Sequence, residues 1–236
     1  MTARSRKRVV VMISGRGSNM AALIGAAEEA GFPAEIVGVI SDKPGAAGLE
    51  LARQKSIETR VIPRADYADK AGHEAAIEAE LSALGCEILC LAGYMRLLSP
   101  EFVTRWLGRM INIHPSLLPS FRGLETHGRA LSAGVRIHGC TVHFVTAEVD
   151  EGPIIVQAAV PVLSEDDEAS LAQRVLKAEH QIYPLGLRLV AEGKAVIEDG
   201  KCRIDGILER EPRTILVAPD IDNSLADLER LARFTP

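Results

Sequence analysis

No apolar run in the 236 residues reaches the roughly 18 to 20 needed for a spanning helix, because Gly, Pro or charge interrupts every stretch. A membrane-embedded protein is therefore not expected. An excess of positive charge is also missing: the formal net charge is -5, so no global field exists to hold DNA, RNA or a membrane surface, and any phosphate must be caught locally. The four cysteines, Cys86, Cys90, Cys140 and Cys202, form no C-x-x-C pair and no dense secreted framework, which leaves free buried thiols in a reducing cytoplasm as the expectation. A metal site from His138, Cys140 and His143 is disfavoured because residues three apart in a strand point to opposite faces. Internal repeats and low-complexity tracts are absent, and the basic N-terminus up to Arg8 leads into too short an apolar segment to be a secretory leader, so it reads as a solvated tail.

What is present fits one α/β domain. Hydrophobic residues make up 47% and charged residues 25%, ordinary values for a globular chain. A β-branched run, Arg8 to Ile13, is followed by a glycine turn and then by Met20, Leu23, Ile24 and Ala27 at helical spacing. The alternation continues with strands at 35–40, 60–62, 87–92 and 110–113 and helices at 46–55, 70–84 and 99–107, the last opened by Ser99-Pro100 as N-cap and first-turn pair. Such βαβ units predict a Rossmann-like, mostly parallel sheet with helices on both faces. A helix after Gly123, running to Ala133, follows, then strands at 140–145 and 154–160, which no helix separates and which are therefore expected to be antiparallel. A helix within 166–190 carries Leu171, Val175, Ala178 and Ile182 on one face, with Pro184 expected to kink or end it. A hairpin at 195–204 closes the domain, which is taken as residues 1–205. Residues 206–236 read as an extension of unknown role, with a linker at 209–213 and a short amphipathic helix at 224–234.

Four segments carry polar chemistry at predicted strand ends. Gly15-x-Gly17-Ser18-Asn19 lies between the first strand and first helix, where free N–H groups and the positive helix end suit a phosphate, though a plain tight turn would look the same. Met20 stands where a dinucleotide fingerprint needs a third small residue, and no Gly-Lys-Ser/Thr completes a P-loop. Asn112 and His114 are two apart, so they share a strand face about 6.6 Å apart, and Pro115 ends the strand at the ligand-binding edge of the sheet. An amide and an imidazole there can address one reacting centre, although a strand-end histidine can equally be structural. Asp150, in an Asp-x-Gly-Pro turn, either bonds its own backbone or stands by His114 to favour its protonated form. The loop Gly93-Tyr94-Met95-Arg96-Leu97-Leu98 offers apolar side chains and backbone groups to a flat heteroaromatic ring, or simply packs.

Together these runs resemble the phosphoribosylglycinamide formyltransferase family: Ile13-Ser14-Gly15-Arg16-Gly17-Ser18-Asn19, Leu91-Ala92-Gly93-Tyr94-Met95-Arg96, Asn112-Ile113-His114-Pro115-Ser116-Leu117-Leu118-Pro119, His138-Gly139-Cys140-Thr141-Val142-His143-Phe144-Val145 and Asp150-x-Gly152-Pro153, across about residues 8–205. The resemblance implies transfer of the formyl group of 10-formyltetrahydrofolate to the amine of phosphoribosylglycinamide in cytoplasmic purine biosynthesis, without a metal. Asn112, His114 and Asp150 match its catalytic trio. Gly17, Ser18 and Asn19 would hold the substrate phosphate and Glu179 the ribose. Met95, Arg96, Leu97 and Leu98, with the turn before Asp150, would hold the pterin, and Lys70 stands where the family places a basic residue near the folate. Glu125 replaces a histidine of the family. Arg122 receives no role.

Four rival readings fit less well. A methionyl-tRNA formyltransferase would carry a further RNA-binding domain of about a hundred residues after Asp205, and a formyltetrahydrofolate deformylase a regulatory domain before Arg8. A non-enzymatic sensor of a phosphorylated metabolite needs the Gly17 turn but not the trio. The nicotinamide oxidoreductase reading fails at Met20.

Overall fold

The computed structural model describes residues 5–206 and Ala218. Its elements in chain order are β1 (Lys7–Ile13), α1 (Ser18–Glu28), β2 (Ala34–Ser41), α2 (Ala47–Gln54), β3 (Glu58–Val61), α3 (Lys70–Ala83), β4 (Ile88–Leu91), α4 (Pro100–Arg105), β5 (Met110–His114), α5 (Thr126–Ser132), β6 (Ile137–Phe144), β7 (Ile154–Pro161), α6 (Glu168–Ala191), β8 (Ala195–Glu198) and β9 (Lys201–Ile204). Seven strands form one sheet in the order β3-β2-β1-β4-β5-β6-β7, and β8 and β9 form a separate hairpin. The pairs from β3 to β5 are parallel, as the strand–helix alternation implies. The β6–β7 pair is antiparallel as expected, and so is β5–β6, although a helix lies between those two strands. That helix, α5, is only 7 residues long and packs on α6, so it does not return the chain across the sheet as a crossover helix would.

Period-two alternation divides the sheet into two cores. Val9, Val11 and Ile13 of β1, Cys90 of β4, Ile111 and Ile113 of β5 and Cys140, Val142 and Phe144 of β6 face α1, α2 and α6. On the other face Val10, Met12, Leu89, Leu91 and Met110 meet Ile77 and Leu81 of α3 and Phe102 and Val103 of α4. Helices therefore cover both faces. Cys140 lies in the first core, so the strand alternation sends His143 to the opposite face, as the sequence predicts. Cys90 and Cys140 are buried thiols, whereas Cys86 and Cys202 are only partly covered.

Ser99 caps α4, its Oγ accepting from Phe102 N at 3.1 Å, with Pro100 in the first turn. Pro184 does not end the helix: α6 runs from Glu168 to Ala191 with the proline inside it. Tertiary anchoring on either side outweighs the lost backbone bond, because Ile182, Tyr183 and Leu187 are all buried in the core. Tyr183, at 0% exposure, also donates its hydroxyl to Leu91 O at 2.8 Å, with Ile111 O at 3.3 Å, and so pins the helix to β4 and β5. The predicted linker at 209–213 and helix at 224–234 lie outside the described residues.

Two stability predictions follow from buried polar groups. Tyr183→Phe removes the anchor without opening a cavity, so the urea midpoint should fall by an amount equivalent to about 1 kcal/mol; an unchanged midpoint would mean that the hydroxyl adds nothing to packing. His138 of β6 is 1% exposed, between the rings of Phe121 and His127, and burial, helped by His127, pushes its pKa from 6.5 to about 4. The fold holds this ring neutral while the unfolded chain protonates it, so its contribution is present above pH 6.5 and is lost as pH falls toward 4. Urea melts of His138→Leu should accordingly lose less stability than the wild type between pH 7 and 4, and parallel losses would exclude His138 as the source.

Candidate active site

The strands β1, β4 and β5 are adjacent and parallel, so their C-terminal ends open side by side on one edge. Each delivers one part of the site. After β1 comes the turn at Gly17, which adopts φ 76 and has no room for a side chain, since a Cβ there would lie 2.8 Å from Gly48 Cα. Ala21 N donates to Gly17 O at 2.8 Å, which leaves the N–H groups of Ser18 and Asn19 in the first turn of α1 without intrahelical acceptors. Asn19 Nδ2 donates to Glu179 Oε2 at 2.6 Å, and so two sequence-predicted binding residues 160 positions apart meet. Glu179 is 6% exposed, and burial raises its carboxyl pKa against the opposing effect of Asn19.

After β4, the loop residues Arg96, Leu97 and Leu98 line a cavity of about 260 Å³ together with Lys70, Arg64, His73, Glu74 and Tyr94. Lys70, at the start of α3, is thus brought to the same cavity as the loop, its Nζ 4.0 Å from Glu74. Met95 is outside this lining: its side chain is 64% exposed and its N–H donates to Ser14 Oγ at 2.9 Å. Arg64 is a second cation near Lys70 that the sequence reading passes over, because nothing in its local pattern marks the approach of the loop after β3 to the loop after β4.

The end of β5 carries Asn112 and His114 on the face opposite Ile111 and Ile113. His114 is 5% exposed. Its Nε2 is 3.0 Å from Phe121 O, and since a carbonyl can only accept, Nε2 bears a hydrogen. Its Nδ1 lies 3.4 Å from Asp150 Oδ2. Asp150 does not close an ordinary turn on its own backbone; its Oδ2 accepts from Gly123 N at 2.8 Å, 27 residues away. Asn112, His114 and Asp150 are therefore brought together.

His143 completes the cluster, and the sequence reading assigns it no role. It is the cross-strand partner of Asn112 in the antiparallel β5–β6 register, which places both on one face. His143 Nδ1 lies 2.9 Å from Phe144 O and must donate to it, so in the neutral ring Nε2 is an acceptor and takes a hydrogen from Asn112 Nδ2 at 3.2 Å. Burial lowers the pKa of His143, against the raising effects of the Phe144 carbonyl and Asp150, and favours that neutral form. This arrangement fixes the orientation of the Asn112 amide, with Nδ2 toward His143. His143 Nε2 also lies 3.8 Å from Asp150 Oδ1. Only the strand pairing reveals this neighbour, and a single sequence does not specify register. Glu125 is an exposed residue at φ 56 before α5.

A donor amide, an imidazole and a carboxylate converging beside a turn with free N–H groups and a cation-lined cavity suit an acyl-type transfer, in which an oxyanion needs donors and a proton needs a carrier. Comparison with known proteins agrees. The formyl transferase family model matches residues 7–187. The chain is 50% identical over 199 residues to the trifunctional purine biosynthetic protein adenosine-3 of Drosophila melanogaster, covering 84% of this chain but only 15% of that protein. It is 42% identical to the phosphoribosylglycinamide formyltransferase of Haemophilus influenzae, over 85% of this chain and 94% of that one. The crystal structure of the phosphoribosylglycinamide formyltransferase of Brucella melitensis superposes with a TM-score of 0.77 at 59% identity, covering 79% of this chain and 96% of the other. The chain belongs to the formyl transferase family.

Proposed function

We propose that this protein transfers the formyl group of 10-formyltetrahydrofolate to the amine of phosphoribosylglycinamide. The observation that carries the reading is the side-by-side order, along one sheet edge, of the Gly17 turn, the loop from Met95 to Leu98 and the Asn112–His114–Asp150 cluster. It orders an anion-binding turn, a heteroaromatic site and a proton-transfer group as the two substrates require. The relative of near-equal length is named a phosphoribosylglycinamide formyltransferase.

In this reading the N–H groups of Gly17, Ser18 and Asn19 hold the phosphate and Glu179 bonds the ribose. The apolar stems of Arg96 to Leu98 and the backbone of the loop from Met95 onward receive the folate ring. Arg64, Lys70 and Arg96 give the adjoining cavity a positive lining suited to the carboxylate end of folate. The substrate amine attacks the formyl carbon, and the carbonyl π pair moves to oxygen. Asn112, held by His143, donates its remaining amide hydrogen to that oxygen, with His114 as a second donor. Return of the electron pair breaks the bond to N10, which takes the Nδ1 proton of His114, while the proton lost by the amine passes to Asp150 and from there restores the one on Nδ1. Asp150 exchanges that proton with Nδ1. Their 3.4 Å separation is longer than a direct bond prefers, so a water or substrate group can bridge them. No step calls for a metal, and cytoplasmic catalysis by residues 1–205 follows from the same reading.

The test is to incubate purified protein with 10-formyltetrahydrofolate, with and without phosphoribosylglycinamide, and to follow formate and formylated amine separately. Formylated product should form in step with tetrahydrofolate only when the acceptor is present, because a bound amine at high effective concentration outcompetes water. Acceptor-independent formate release would identify a deformylase instead. His114→Ala should lower kcat by roughly 10² to 10⁴-fold with nearly unchanged KM values; near-wild-type turnover would remove His114 from the mechanism.

A further inference from the structure

Between the Gly17 turn and the folate-side loop lies a buried polar link that the mechanism does not use. Asp42 follows β2, Ser14 follows β1, and Gly93 to Arg96 follow β4, on three adjacent strands. Asp42 is 4% exposed and Ser14 5%. Ser14 Oγ donates to Asp42 Oδ1 at 2.6 Å and accepts from Met95 N at 2.9 Å, while Ser14 N donates to Gly93 O at 3.1 Å. The other Asp42 oxygen, Oδ2, accepts from Arg96 Nε at 2.7 Å. Both carboxylate oxygens are thus occupied, and one of them fastens the only cation of the loop. Gly15, the next residue after Ser14, starts the turn that leads into α1 and is itself tied down through its carbonyl by Gly48 N at 3.1 Å.

We infer that Asp42 is a positioning residue that locks the Met95–Leu98 loop to the Gly17 turn and aims Arg96 into the cavity. The inference rests on the proposed use of that cavity for formyl-folate. Arg96 is half exposed on a long stem. Without an acceptor at Nε it would sample many rotamers, and ordering them on binding weakens affinity. A carboxylate suits the position because it accepts from the guanidinium with charge assistance while still accepting from Ser14. The arrangement places specificity for the folate partner in a residue that need not touch it.

Steady-state kinetics of Asp42→Ala, Asp42→Asn, Arg96→Ala and the Asp42→Ala/Arg96→Ala double variant test this. Asp42→Ala should raise KM for 10-formyltetrahydrofolate about tenfold and change kcat less than about threefold. Asn can accept from Arg96 through its carbonyl and donate to Ser14 through its amide, so Asp42→Asn should recover most of the loss. Because Asp42 acts through Arg96, its removal should add less than about twofold in the Arg96→Ala background. Additive losses, an unchanged KM, or a loss confined to kcat would overturn the assignment. Hydrogen exchange supplies a readout independent of turnover: the Met95 amide should exchange about tenfold faster in Asp42→Ala than in wild type, and equal protection would refute the link. A wild type inactive in formyl transfer would defeat the functional reading while the exchange experiment still decides the link. Should Asp42→Ala fail to fold, Asp42→Ser, which keeps one hydroxyl for Ser14 but offers no second oxygen to Arg96, should give the same rise in KM for 10-formyltetrahydrofolate; an unchanged KM there also refutes the assignment.

Discussion

Asp150 stands at φ 56 on the turn between β6 and β7, a left-handed conformation that costs an L-residue on the order of 1 kcal/mol or more but that Asp tolerates better than most. From this position its carboxylate meets three separate stretches of chain: Gly123 N at 2.8 Å, His114 Nδ1 at 3.4 Å and His143 Nε2 at 3.8 Å. The turn is held in place two residues later. A Cβ on Gly152 would come 1.7 Å from Phe144 O, so only glycine lets the chain pass that carbonyl, and Phe144 N then donates to Pro153 O at 2.9 Å. Strain at one residue and the absence of a side chain at another thus set the geometry of the whole cluster. This fits the general pattern in which an unfavourable backbone state persists where the surroundings over-determine it and the side chain has a task.

Sheet geometry supplies the rest of the site. Parallel strands β1, β4 and β5 present their C-terminal ends together, and strand alternation sends apolar Ile111 and Ile113 to one core while Asn112 and His114 keep the other face. The switch to antiparallel pairing at β6 then brings His143 opposite Asn112. A parallel β6 would not have provided this register. The same buried surroundings that lower the pKa of His143 favour the acceptor state that orients the Asn112 amide.

Much of this is legible in the sequence where the signal is local. Alternating β-branched runs and 3.6-period helices specify the parallel sheet, Ser99-Pro100 specifies a helix start, and the spacing of Asn112 and His114 specifies a shared face. The limits lie where distant contacts override local preference. Pro184 reads as a kink or an end, but with Tyr183 and Leu187 buried α6 does not end there. Asp150 alone reads first as a turn former. Arg64, Asp42 and His143 are unremarkable in their own segments and acquire meaning only when loops after different strands are set side by side. Met95 shows the converse: its neighbours in sequence line the cavity while its own side chain turns outward.

The central claim is that one edge of the sheet sets the acceptor's phosphate turn, the folate loop and the reacting centre side by side, in that order from β1 across to β5. A crystal structure of the protein with phosphoribosylglycinamide and a formyl-folate analogue that cannot release its formyl group measures this directly. The account predicts the phosphate within about 2.7 to 3.2 Å of the Gly17 to Asn19 nitrogens, the ribose on Glu179, and the amine and formyl carbon beside Asn112 and His114. A phosphate bound away from that turn, or a reacting amine out of reach of His114 and Asn112, would contradict it.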